Sequence, residues 1–367
     1  MRTVGDALQD RHNHFNLCRL LGALYIAFAH SVLISGLEPY YLEHNPRYLH
    51  LLAFIGHNAL RLFFVFSGVL VAMSLDTRRS LSGYAAARIL RIFPPLLLVC
   101  AVTVFVLGPL TTERPLTAYF ADIRTWAYLP LAGSGLFVPD LPGVFESVPW
   151  ATRINPPLWT LRYEIIFYVL LVLASLAGLL SRARLPLLLA ATLAVYLLLT
   201  FGTTLRGDEF IDSMTRFGMS FMLGVGIYHY RHAIPVTIWW VVPFGLATLL
   251  ARNTLWVELF STFAATALVF WVGLGVKGPL LRYNGVGELS YSVYIWHWPV
   301  GQTLIGLFPQ LHAWQLFLLI APCAVTIAFV SWRFVELPAL RRVPQLAAWL
   351  RRLAHRRPIL PAAVRQS

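Results

Sequence analysis

FNLCRLLGALYIAFAHSVLISGL, residues 15–37, is long enough to cross a bilayer, yet it carries Arg19 and His30. A helix needs about 20 apolar residues to span the hydrocarbon core. Strongly polar side chains in such a segment are costly unless they face protein or water. Arg19 and His30 are eleven residues apart. At about 100° per residue they return to one helix face, roughly 16 Å apart along the axis, with Ala23 and Ile26 between them. An ionisable group at that depth marks a functional site by default. A structural histidine bonded to a neighbouring helix is the competing reading.

The rest of the chain has the same character. Of its 367 residues, 58% are hydrophobic, and the mean hydropathy is +0.67. Those values exclude an ordinary soluble domain. Apolar stretches begin near Leu17, Leu51, Ile89, Leu158, Leu185, Ser213, Pro235, Trp256, Leu289 and Gln315. They predict an all-α polytopic transmembrane helix bundle of about ten spans. The sixth, SMTRFGMSFMLGVGIYHY, is the weakest and carries Arg216.

The net charge of +13 could suggest a nucleic-acid partner, but its distribution argues against one. Alternate loops hold Arg78 and Arg79, Arg182 and Arg184, Arg231, Lys277 and Arg282, and the C-terminal segment adds Arg341, Arg342, Arg351, Arg352, Arg356 and Arg357. The opposite loops hold Arg47, Arg114, Arg124, Arg153, Arg206 and Arg252, mostly diluted by acids. This positive-inside pattern predicts that both termini are cytoplasmic. Residues 1–342 form one bundle, and 343–367 a basic cytoplasmic tail expected to lie against anionic lipid. The long connection from Thr111 to Pro157, rich in Pro, Gly and aromatics, is expected to pack over the bundle mouth. Cys18, Cys100 and Cys323 are odd in number and lack metal-ligand spacing, so neither a disulfide framework nor a metal is expected. The N-terminus lacks a cleavage pattern, so the first span is expected to stay as an anchor. No P-loop, GxGxxG, GxSxG or HExxH stands in a usable context.

Further ionisable residues fall at membrane depth. In the second span His57, Arg61, Phe64 and Gly68 share a face, and Ser67-Gly68 admits a close helix neighbour. Arg88 and Arg91, one turn apart, could clamp a phosphate or simply anchor the third span. Glu164 shares a face with Thr160 and needs a partner. Ser290, Tyr294, His297 and Gly301 share a face of the ninth span, either as a site or as a packing seam. Arg333 and Glu336 close the tenth. His30, Glu164 and His297 lie near the middle or outer half, while Arg19, Arg88, Arg91 and Glu336 lie at the cytoplasmic end. A deep base with a cationic mouth suits an anionic cytosolic donor and an acceptor arriving from the other side.

With these residues in order, the chain resembles the acyltransferase 3 family of integral membrane O-acyltransferases, which modify O-antigen, exopolysaccharide, Nod factors and some macrolides. The resemblance runs from about Phe15 to Arg342. The family's Arg-x10-His falls on Arg19 and His30. Its FFVLSG motif falls on Phe63 to Gly68, read here as FFVFSG, and its Arg-x-x-Arg on Arg88 and Arg91, followed by Phe93-Pro94. WSLxxExxFY falls on Trp159 to Tyr168 with Thr160 for Ser, SYSxYLWHWP on Ser290 to Pro299, and the terminal Glu-x-Pro on Glu336 to Pro338. Leu21 stands where the family often has Gly, and Ala59-Leu60 where it has Gly-Val; both blur the subfamily. No hydrolase-like extension follows, so the stand-alone type is expected.

The resemblance implies an acyl-CoA donor, most often acetyl-CoA, a carbohydrate acceptor and the inner membrane of a bacterium. Arg88 and Arg91, with Arg19 and Glu336 beside them, would form the CoA end of the site. His30 would be the general base on the acceptor hydroxyl, or would carry the acyl group itself. Glu164 would orient His30 or complete the relay, with Glu336 the runner-up orienter, and His297 would belong to the catalytic set. Arg61, Ser67, Trp159 and Tyr294 are candidate substrate contacts. A transporter or flippase of an acylated lipid or glycan is the rival class, because buried Arg, His and Glu also mark proton-coupled transport. A secondary metabolite is the alternative acceptor.

Overall fold

The computed structural model describes residues 2–10, 13–78, 80–202, 207–278 and 283–355; Arg79, Arg206, Arg282, Arg356 and Arg357 of the charge pattern lie outside them. Within the described residues every regular element is a helix, apart from two isolated bridges, Thr3 to Pro235 and Thr112 to Val144. Each apolar stretch forms one helix. They are α1 (Phe15–Ile34), α2 (Pro46–Arg78), α3 (Leu81–Val102), α4 (Leu161–Leu176), α5 (Leu185–Phe201), α6 (Glu209–His229), α7 (Val241–Leu250), α8 (Trp256–Phe270), α9 (Ser290–Leu307) and α10 (Ala313–Ser331). With their continuing turns, α1, α2, α3, α4, α8 and α10 are six helices long and apolar enough to cross a membrane. Helices α5 and α7 are apolar but short, α6 carries Glu209, Asp212 and Arg216, and α9 is diluted by Ser, Tyr, His and Gln. Leu170, Leu173, Leu187, Leu198, Leu249 and Leu318 project from the bundle exposed. Such an apolar exterior suits lipid and not water.

Helix α2 is the hub, packed against α1, α3, α4, α6 and α8, and its pairing with α6 is the most extensive in the molecule. Two glycines explain that contact. A Cβ at Gly68 would collide with the Phe221 carbonyl, and a Cβ at Gly224 with the Val65 carbonyl. The helices therefore meet backbone to backbone, as the Ser67-Gly68 pair predicts. On the other side α9 packs between α1 and α10.

The connection from Thr111 to Pro157 is packed as expected. It holds two short helices, Leu116–Ala121 and Ile123–Gly133, and Asp122 caps the second by accepting from the Arg124 backbone N–H at 2.9 Å. Hydrogen bonds from Arg124 hold the Asp122 carboxyl down to about 2. The connection then crosses α9. The Trp298 indole N–H donates to the Arg153 carbonyl (2.9 Å), and the Gln302 amide donates to the carbonyls of Trp150 (2.8 Å) and Arg153 (3.0 Å). After α10 the chain continues through Leu337–Arg341 into α11, Val343–His355. Val343 and Ala347 of α11 bury themselves against Ala86 and Ala87 of α3, leaving Arg351 and Arg352 exposed.

Candidate active site

A cavity of about 450 Å³ opens between α1, α2, α3, α4 and α9, at the end of the bundle where α1 begins. Along α2 it is lined from Leu60 to Arg78, about 27 Å at 1.5 Å per residue. Its mouth is polar: Thr77, Arg78, Ser74, Arg88, Arg91, Arg19 and Glu288. Its deep end is formed by Leu60, Phe63, Thr160 and Tyr294, with Ser67, Glu164 and Tyr168 between. A slot this long and narrow, cationic at one end and mostly apolar beyond, fits an extended anion with an uncharged reactive tip.

The cations of the mouth divide into two groups. Arg91 pairs with Glu288 and, at 3.2 Å, with Glu336; Arg19 pairs with Glu288 at 3.5 Å. Glu336 is fully buried and accepts from Ser292 at 2.6 Å. The helix widens by a π turn at Trp332–Glu336, and a turn of that kind shifts the register of the side chains that follow. Glu288 is set by Gly287, whose φ of +123° lies in the region that favours glycine, with the Trp332 indole packed where a Cβ would be. Two carboxylates thus join α1, α3, α9 and α10 through Arg19 and Arg91. Glu336, expected among donor-binding residues, neutralises Arg91 instead and does not line the cavity.

Arg78 and Arg88 form the second group. Both donate to Ser74 Oγ, at 3.2 and 3.5 Å, and Arg88 lies over the Tyr168 ring, 5.6 Å from its centroid. Among the described residues no carboxylate pairs with either.

His30 and His297 meet at membrane depth, from helices 267 residues apart in sequence. His30 Nδ1 lies 2.8 Å from His297 Nε2, with the rings 19° from parallel and Trp298 edge-on to His30. The proton positions follow from the partners. His297 Nδ1 lies 2.6 Å from the Tyr294 carbonyl. A carbonyl can only accept, so Nδ1 carries the proton and Nε2 of the neutral ring carries a lone pair. His30 Nδ1–H donates to that lone pair, which leaves His30 Nε2 unprotonated and free to act as a base. His297 is fully buried and His30 only partly so.

It is His297, not Glu164, that hydrogen-bonds to His30. Glu164 lines the cavity beside Thr160, but its carboxylate accepts from Tyr168 OH, one turn along its own helix. Neither histidine lines the cavity itself. Tyr294 stands between, its ring centroid 5.9 Å from that of His297 and 6.2 Å from that of Phe63. Tyr294 is pinned there by hydrogen bonds to the Pro157 carbonyl (2.9 Å) and Thr160 Oγ1 (3.0 Å).

The turn that carries His297 needs outside support. Pro299 has no N–H, so the Ile295 carbonyl loses its helical partner. Asn155, fully buried, supplies one: its side-chain amide donates to Ile295 O at 2.9 Å. The proline in the middle of α9 was the available signal for such a residue; composition gave no hint of which one. Asn155→Leu is expected to leave that carbonyl unpaired in the interior. The cost is about 1–3 kcal/mol, read as a lower melting temperature of the purified protein together with reduced turnover.

Two other predicted contacts lie elsewhere. Arg61 is buried, as its depth required, but it pairs with Glu258 at 3.2 Å, a carboxylate shared with Arg216 at 3.2 Å, away from the cavity. Trp159 packs against Tyr163 and Phe217 beneath the Arg162 guanidinium and does not line the cavity. Ser67 does, with its hydroxyl 3.2 Å from Tyr168 OH. Glu288, Ser74 and Asn155 were not singled out from sequence. Among the described residues no His, Cys, Asp and Glu cluster could hold a metal.

The family described as an acyltransferase domain matches residues 12–333. Nodulation protein 10 of Rhizobium leguminosarum bv. viciae is 27% identical, over 92% of this chain and 95% of its own length. An O-acetyl transferase of Shigella phage Sf6 is 25% identical, over 90% of this chain and 97% of its own. No solved structure matches. The chain belongs to the acyltransferase 3 family and is an integral membrane acyltransferase.

Proposed function

We propose that this acyltransferase moves an acetyl group from cytosolic acetyl-CoA to a hydroxyl of a carbohydrate acceptor, a cell-surface polysaccharide or lipid-linked sugar, in the inner membrane of a bacterium. The observation that carries the reading is the paired His30 and His297 just beyond the deep end of an arginine-mouthed cavity. The name of one relative, an O-acetyl transferase, supports transfer of an acetyl group to oxygen. In the positive-inside arrangement the cavity opens to the cytosol, where acyl-CoA is made, and CoA need not leave that side.

The donor enters thioester first, with its phosphates at the arginines. Tyr294 turns aside to let the thioester reach His30. His30 Nε2 takes the proton of the acceptor hydroxyl as its oxygen attacks the thioester carbonyl. The tetrahedral intermediate expels CoA thiolate, which receives from His30 the proton that the acceptor hydroxyl gave up. The new ester leaves with the acceptor.

Mass spectrometry of surface glycans and lipid extracts, from cells with and without the intact gene, tests this. An acetyl-sized mass is expected to disappear on deletion and to return with the wild-type gene. Unchanged masses in every extract would overturn the carbohydrate reading.

A further inference from the structure

Arg78 is the C-terminal residue of α2 and none of the motifs quoted above includes it, yet it lines the cavity and shares Ser74 with Arg88. Two guanidiniums converge on one neutral hydroxyl, and among the described residues no carboxylate balances them. Arg19 and Arg91, by contrast, are already balanced by Glu288 and Glu336. Like charges brought together need an anion between them, and a guanidinium pair flanking a hydroxyl matches a phosphate.

We infer that Arg78, Ser74 and Arg88 form the phosphate site of the donor, and that Arg19 and Arg91 hold the helices together around it. This rests on the acyl-CoA reading above. Ser74 precedes Ser67 by seven residues from the mouth inward, about 10 Å on the helix, and Leu60 lies a further 10 Å or so beyond. A phosphate on Ser74 therefore leaves the deep half of the slot for the uncharged pantetheine arm and its thioester. The anion is either the 3′-phosphate or the diphosphate of CoA, since both offer the same oxygens to the same donors.

The test is direct binding of acetyl-CoA and of 3′-dephospho-acetyl-CoA to the purified full chain in lipid nanodiscs, for wild type, Arg78→Gln and Ser74→Ala. Arg78 is exposed at a helix end, so its replacement leaves the packing intact. Loss of one charged hydrogen bond is expected to weaken acetyl-CoA binding about 10- to 100-fold. If the 3′-phosphate is the anion, wild type binds the dephospho donor as weakly as Arg78→Gln does, and the substitution costs that donor nothing further. If the diphosphate is the anion, both donors lose equally on substitution. Undiminished binding of acetyl-CoA by both variants would overturn the assignment while leaving the acyl-CoA reading standing. Failure of wild type to bind acetyl-CoA at all would overturn that reading and the assignment with it.

Discussion

Replacing His30 by Ala is expected to abolish acyl transfer while the protein still reaches the membrane in normal amounts. Removing a general base costs about 100- to 10,000-fold, enough to erase product in cells. The structure adds a graded companion. His297 fixes the tautomer of His30 by offering Nε2 as an acceptor. His297→Leu removes that acceptor from a fully buried position, and transfer is expected to fall by roughly 100-fold through lost orientation. His297→Gln, whose side-chain oxygen can accept from His30 Nδ1–H, is expected to recover part of that loss. The measurement is turnover of labelled acetyl-CoA by equal amounts of membrane-inserted protein. Equal activity of His297→Leu and wild type would remove the tautomer argument. Substantial activity of His30→Ala would remove the base.

The second large effect is structural. Gly68→Ala or Gly224→Ala places a methyl group against a carbonyl oxygen of the facing helix and forces α2 and α6 apart. Overpacking of this kind costs about 1–3 kcal/mol, and backbone carbonyls cannot move aside as a side-chain tip can. The two substitutions act on one contact, so the double variant is expected to lose less than the sum. Gly245→Ala is the control: it lies in α7 with open space around its Cβ position, and it is expected to be neutral or slightly stabilising. Thermal unfolding of the purified variants checks all four. Activity should fall with Gly68→Ala as well, because Ser67 and its contact with Tyr168 line the cavity.

Much of the site was legible because depth in a membrane is costly for charge. Arg19, Arg88 and Arg91 each stand in a long apolar run, and all three reach the same cavity. The same rule found Arg61, which does not line that cavity. Burial of a guanidinium demands a partner but does not say which; Glu258, 197 residues away, supplies it. Glu164 shows the reverse case. Its need for a partner is met four residues along its own helix by Tyr168, which helical spacing allows, while His30 hydrogen-bonds to another ring.

Taken alone, the sequence determined the all-helical membrane character and the identity of the ionisable residues inside the bundle, whereas six of the ten expected spans form helices long and apolar enough to cross a membrane. Those properties depend on local periodicity and on transfer cost, which are written residue by residue. Which charges cancel and which stay free was decided only by tertiary structure. Arg91 and Arg88 are equivalent in their motif. The π turn at Trp332–Glu336 and the glycine turn at Gly287 accompany Glu336 and Glu288 against the first and not the second. The pairing of His30 with His297 is likewise a contact between α1 and α9. No spacing rule within one helix can specify an approach between two.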